Sequence, residues 1–263
     1  MCIRDRYKLE PLQQEINAAN RGTVLHEIME RFSQAHPKEI GKNAQDDFIQ
    51  ITKDVLDAHH VEQQEVAFWF PRLKKLAQWT IQHETLYRES ARLFACEAEG
   101  NITLNDDRLK RPFTLRGIAD RIDLKNSGDM GVIDYKSGGT YNPKKMGNGE
   151  LPQLPLEALI LQKNGFKEAG ITGKKIDEIA YWKLTGGNPA GQIIHINDKE
   201  IIQGVIDEIE NSLISLIQIF ENEDTPYIAV PDLENAPRFN DYEHLERLKE
   251  WAVLDDSTNE VVS

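Results

Sequence analysis

Asp120, Asp134 and Lys136 are charged residues set among strand-forming ones, and together they could hydrolyse a phosphodiester. Two β-favouring runs, TLRGIADRIDL (114–124) and MGVIDYK (130–136), flank Lys-Asn-Ser-Gly-Asp, so the spacing predicts a β-hairpin. By the period-two rule Asp120 shares a face with Ile118 and Ile122, where an amphipathic strand would carry an apolar side chain. Asp134 and Lys136 share a face and alternate with Ile133 and Tyr135. A half-buried carboxylate is costly unless something pairs with it. Two aspartates on neighbouring strands offer the hard oxygen ligands that Mg²⁺ takes. A lysine two residues beyond the second would reach the same place, where it could orient an attacking water or steady charge on phosphorus. The same residues also allow a plainer arrangement, a strand-face ion pair between Asp134 and Lys136 with Asp120 in a loop salt bridge.

The elements that must position these groups follow from periodicity. From Asn20 onward Val24, Leu25, Ile28, Met29 and Phe32 form a helical stripe, with His26 and Glu30 one turn apart beside it. A histidine so placed serves either as a packed or capping residue or as a ligand. Between Ala44 and Arg92 the pattern is helical, with Pro71 suiting a helix start and Trp69, Phe70, Leu73, Leu76, Trp79 and Ile81 as core. Those aromatics could stack bases, but only Arg72, Lys74 and Lys75 lie near them in sequence, which favours core packing. The run Leu93–Leu104 reads as the first strand, with Glu97 and Glu99 on a solvated face. Arg121 and Asp123 point away from Asp120, into an ion pair.

Beyond Lys136, glycine and proline mark a flexible loop on which Lys144 and Lys145 could touch phosphate or stand as a solvated tip. Gln153–Leu161 reads as a crossover helix that tolerates Pro155 in its first turn. An edge strand, Ile176–Leu184, a further strand, Gln192–Ile196, and an amphipathic helix, Asp198–Glu221, follow. An extended segment and a short helix, Asn240–Trp251, complete the reading.

At 263 residues, 40% hydrophobic and 29% charged, the chain can bury one sizeable core. No apolar run approaches the roughly 20 residues of a membrane span, and the cytoplasm is expected. Its two cysteines, Cys2 and Cys96, form no metal-binding pair. No G-x-x-x-x-G-K-[ST] loop is present, so the chain is no ATP-driven motor by itself. A net charge of −13 argues against a free-standing nonspecific DNA binder unless a partner delivers the DNA.

These residues, taken together, resemble the PD-(D/E)xK nuclease superfamily. Asp134-Tyr135-Lys136 stands as the D-x-K element and Asp120 as the upstream acid. Gly22-Thr-Val-Leu-His26-Glu-Ile-Met-Glu30 matches the G-x-x-x-H-x-x-x-E helix of the RecB-like branch, and Gln153 stands where that branch places a glutamine. Where many members carry tyrosine four residues further on, this chain has Glu157. The stretches PQLPLEALIL, YWKLTGG and TPYIAVPDLENAPRFNDYEHLERLKEWA resemble the carboxy-terminal nuclease domain of the AddB family. The resemblance implies an α/β fold with a restriction-endonuclease-like core, α-β-β-β-α-β, whose mixed sheet is flanked by helices and extended by helices at both ends. It implies Mg²⁺, or Mn²⁺ in its place, held by His26, Asp120, Asp134 and the Tyr135 carbonyl, with Lys136 and Gln153 catalytic and Glu30 behind the ligands. It implies DNA and an AddA-like helicase-nuclease subunit as partners, and trimming of one strand at a double-strand break. The four cysteines that many AddB proteins use for an iron–sulfur cluster are missing, so none is expected. Residues 1–19 read as an artefactual or truncated lead-in, and 20–263 as the nuclease domain: a helical insertion at 44–92, a catalytic core at 93–196 and a helical extension from 197. A stand-alone phage or CRISPR-associated exonuclease, and a noncatalytic docking module, are the alternatives.

Overall fold

The structure, a computed structural model, describes residues 18–167, 170, 171 and 175–226. The chain divides into two compact units, Glu15–Ile219 and Met1–Gln14 with Phe220–Ser263; the first carries the sheet. The expected helix Asn240–Trp251 lies outside the described residues.

Three helices come first: α1 (Ala18–Ala35), α2 (Ala44–Ala58) and α3 (Gln63–Tyr87). Strands β1 (Ala91–Leu104), β2 (Phe113–Lys125) and β3 (Met130–Lys136) follow, then the short α4 (Pro143–Gly147), α5 (Gln153–Gln162), β4 (Ile176–Leu184), β5 (Gly191–Ile196) and α6 (Lys199–Phe220). The strands form one five-stranded sheet in the order β1-β2-β3-β4-β5. Its pairs are antiparallel except β3 with β4, which run parallel because α5 carries the chain back between them.

Side chains alternate across this sheet into two cores. Ile122, Val132, Ile179 and Tyr181 meet α5 and α6 on one face. Ile133, Tyr135, Ala180 and Trp182 meet α1, α2 and α3 on the other. The helical stripe of α1 is buried as expected, with Ile28, Met29 and Phe32 at 0% exposure. At Gly100 the sheet meets the turn after α5 so closely that a Cβ would sit 2.5 Å from the Phe166 ring.

Three expectations are corrected. Pro71 does not start a helix: α3 begins at Gln63 and runs through it. The proline removes one backbone hydrogen bond, at about 3 kcal/mol, and burial of Leu73, Leu76 and Ala77 offsets that loss. Ile176–Leu184 is an interior strand, and β5 is the edge. The segment after Lys136 contains helix α4, started by Pro143 and capped by the Asn142 side chain, which accepts from Lys145 N.

Candidate active site

The β2–β3 ladder ends at the pair Arg121–Ile133. Beyond it the strands part, β2 staying with β1 and β3 with β4. Asp120 and Asp134 are therefore the first residues past the last rung, one on each arm of a fork. Parting leaves the Tyr135 N–H without a β2 carbonyl, and Asp120 Oδ2 accepts it at 2.8 Å. Asp134, 0% exposed, faces α5. Lys136 Nζ donates to Asp134 Oδ1 at 2.9 Å, with Oδ2 2.7 Å away, and to Gln153 Oε1 at 2.9 Å. Gln153 Nε2 donates in turn to Asp134 Oδ1 at 2.6 Å and to Glu157 Oε1 at 3.1 Å. The expected lysine–aspartate neighbourhood is present, and Gln153 links both partners.

From the other face of the sheet α1 delivers His26, whose Nδ1 lies 3.3 Å from Asp120 Oδ2. Burial works against charge on this imidazole, but the Asp120 hydrogen bond and the charges of Asp120 and Asp134 outweigh it and raise its pKa. Burial, with the negative charge of Asp120, lifts the Asp134 carboxyl to about 6 despite Lys136. Its acidity thus reports a buried negative charge that one lysine does not neutralise.

Glu97, read from the sequence as a solvated strand residue, joins this group. Ligand atoms of His26, Glu97 and Asp120 lie within 4.8 Å of one another. In the β1–β2 register Cys96 pairs with Arg121 and Ala98 with Ala119, which sets Glu97 beside Asp120. Its φ of +46° is in the left-handed region, rare for a residue with a side chain. An imidazole and two carboxylates suit a hard divalent cation.

Arg121 and Asp123 are ion-paired on the far face, as expected. Fully buried Arg121 donates to Glu84 of α3, to Asp123 and, at 3.2 Å, to the Tyr135 hydroxyl. That hydroxyl lies 3.4 Å from Ser33 Oγ of α1. The helix bearing His26 is thereby tied to the strand bearing Asp134.

A model of the PD-(D/E)XK nuclease superfamily matches residues 3–241. The chain belongs to this superfamily. It is 24% identical to an uncharacterized protein of Rickettsia bellii over 248 residues, 90% of this chain and 29% of that protein. A Rickettsia felis protein, also uncharacterized, is 26% identical over 275 residues, 91% of this chain and 31% of the other. An ATP-dependent helicase/deoxyribonuclease subunit of Streptococcus mutans is 31% identical over 153 residues, 56% of this chain and 14% of that protein. The chain thus spans about three-tenths of the length of its Rickettsia relatives.

Glu30 and Lys145 each have a partner of their own. Glu30 accepts from Gln34 Nε2 at 2.9 Å and lines a cavity beside His26. Lys145 is paired with Glu150 at 2.7 Å, which leaves Lys144 as the more available phosphate contact of the two.

Glu157 is 4% exposed, and burial plus the charge of Asp134 lifts its carboxyl to about 9. The folded chain therefore keeps a proton that the unfolded chain releases above its ordinary value of 4.5. Stability falls as pH rises through that window. Calorimetry in metal-free buffer should show the unfolding midpoint dropping from about pH 5 to pH 9. Glu157→Gln, with no proton to lose, should flatten that slope, and an unchanged slope would place the titration elsewhere.

Proposed function

We propose that the chain is a Mg²⁺-dependent deoxyribonuclease domain, an exonuclease module of an AddB-like helicase-nuclease subunit that works in the cytoplasm on double-strand break ends. The observation that carries this reading is the fork: Asp120 and Asp134 flank the split in the sheet, His26 reaches it from one face and Lys136 with Gln153 from the other. The AddB assignment, and with it an AddA-like partner, is supported by the likeness to the Streptococcus mutans protein and by the sequence stretches named above. Among the described residues no helix is long and apolar enough to cross a membrane.

His26, Asp120, Asp134 and the Tyr135 carbonyl would hold the cation, with Glu97 beside them. Bound there, a divalent cation supplies Lewis-acid stabilisation to a phosphate undergoing attack. Lys136, held by Asp134 and Gln153, presents an ammonium that orients the attacking water or offsets charge growing on phosphorus. Gln153 fixes that ammonium, because its carbonyl accepts from Lys136 while its amide is anchored on Asp134 and Glu157.

Purified protein incubated with linear DNA and Mg²⁺ or Mn²⁺ tests the assignment: cleavage that a chelator stops is expected, and none in either metal would end it. Lys136→Ala should keep metal affinity by calorimetry while single-turnover cleavage falls roughly 10²- to 10³-fold. Equal loss of both would make the lysine structural.

A further inference from the structure

We propose that the cleft between α1, α3 and the β4–β5 turn is a nucleotide subsite that seats one base of the DNA strand next to the cleavage centre. The proposal rests on the nuclease reading above and extends it to a cleft at the end of β3, whose last residue is Lys136. The cleft holds about 190 Å³ and is lined by Arg21, Trp69, Arg72, Leu76, Ser137 and Gly186, among others. That is smaller than the roughly 300–1,000 Å³ of pockets for drug-sized ligands, and suits a single planar ring.

Its position follows from the chain. Ser137 and Gly138, at its edge, directly follow Lys136, so the strand end that carries the ammonium is also the rim of the cleft. Gly22 on α1 comes so near that a Cβ there would lie 3.7 Å from Ser137 Oγ. Arg21 and Leu25 line the cleft, and His26 is the next residue. Four residues of helix, a rise of about 6 Å, separate Arg21 from Leu25, comparable with one or two steps of a nucleic-acid strand at about 3.4 Å each. In the proposed path, a strand with one phosphate at the end of β3 sets a neighbouring nucleotide over Ser137.

The cleft is also tightly built. Gly186, with φ +61°, presses against α3 so closely that a Cβ would sit 2.6 Å from the Arg72 carbonyl. Thr185 closes the turn by donating its hydroxyl to Pro189 O at 3.0 Å and accepting from Gly187 N at 3.1 Å.

Chemistry selects the occupant. Trp69 packs in part against the α1–α3 core and lines the cleft with the rest of its surface, on which a base can stack; exposed Arg21 and Arg72, the latter's guanidinium 5.6 Å from the Phe68 ring, can meet phosphate. The larger cavity on the neighbouring face of α1, about 770 Å³, is lined instead by Glu27, Glu30 and Glu97. Its one arginine, Arg31, is paired with Glu27 at 2.5 Å. Apart from the phosphate held at the cation, that acidic side repels the DNA backbone and the arginine side draws it, an asymmetry that matters in a chain of net charge −13. The sequence around Trp69 is too poor in basic residues to suggest a stacking platform; Arg21, distant in sequence, supplies the second charge.

The full chain is tested on a short fluorescein-labelled single strand of deoxythymidine, measuring cleavage rate against DNA concentration in Mg²⁺. Trp69→Leu should raise the half-saturating concentration about tenfold, the loss of one stacked base, with maximal rate and calorimetric Mn²⁺ affinity near wild type. Trp69→Phe should restore saturation. Arg72→Gln should also weaken saturation and lower its logarithmic salt slope by roughly 0.7. If Trp69→Leu and Arg72→Gln, folded by circular dichroism, saturate like wild type, the subsite is overturned while the nuclease reading stands. If Trp69→Phe behaves no better than Trp69→Leu, the tryptophan serves only the core and the subsite is likewise overturned. Wild-type protein that cleaves no DNA overturns both readings.

Discussion

Asp134→Asn is expected to lower metal-dependent DNA cleavage at least roughly 10³-fold and to leave the chain folded. Asparagine keeps the volume and an oxygen that can accept from Lys136 and Gln153, so the local hydrogen bonds have a substitute. What disappears is the negative charge. That charge sits at 0% exposure with its pKa lifted to about 6, so the metal-free fold holds it at a cost. Removing it should leave the metal-free unfolding midpoint unchanged or higher, while Mg²⁺ no longer adds stability. Single-turnover cleavage of linear DNA, with chelator controls and thermal scans with and without Mg²⁺, measures both. Undiminished cleavage by this variant would falsify the assigned role of the fork; lost cleavage with a collapsed fold would show a structural role instead.

Arg121→Leu should be strongly destabilising. Arg121, Glu84 and Asp123 are all at 0% exposure. Without the guanidinium, Glu84 and Asp123 retain Arg88, which reaches Glu84 at 2.9 Å but Asp123 only at 3.8 Å. Uncompensated buried charge of this kind costs about 3–5 kcal/mol. For a unit of this size each kcal/mol moves the unfolding midpoint by about 2–4 °C, so a drop of about 6–20 °C is expected in calorimetry. Replacing Glu84, Arg88, Arg121 and Asp123 together by apolar residues of similar volume, so that no buried charge is left without its partner, should recover most of that loss. A drop below about 2 °C for Arg121→Leu alone would show that the network adds little.

What the sequence made legible was local. The hairpin could be read because a two-residue period on each side of a turn is visible within 25 residues, and the period alone put Asp134 and Lys136 on one face. Arg121 and Asp123 were separated from Asp120 by the same alternation. Glu97, exposed as its solvated reading implies, escaped the ligand set because its meaning depends on pairing: the register of β1 against β2 sets it beside Asp120, and that register cannot be seen in one strand's sequence. The interior position of β4 was hidden for a similar reason, since parallel pairing with β3 joins segments some 45 residues apart across α5. Pro71 misled because local propensity favours a helix start, whereas the buried Leu73 and Leu76 extend the helix through it.

The fork also turns the hairpin into a ruler. Asp120 and Asp134 face each other because each stands one residue past a ladder that begins at Leu124–Met130, just inside the turn at 126–129. Sliding one strand by a single residue would swing one carboxylate to the opposite side of the sheet, and sliding by two would move it a full repeat away from its counterpart. A surface loop of ordinary composition thereby acquires a fixed length: extra residues there are harmless only if they bulge outward and leave the rungs in step.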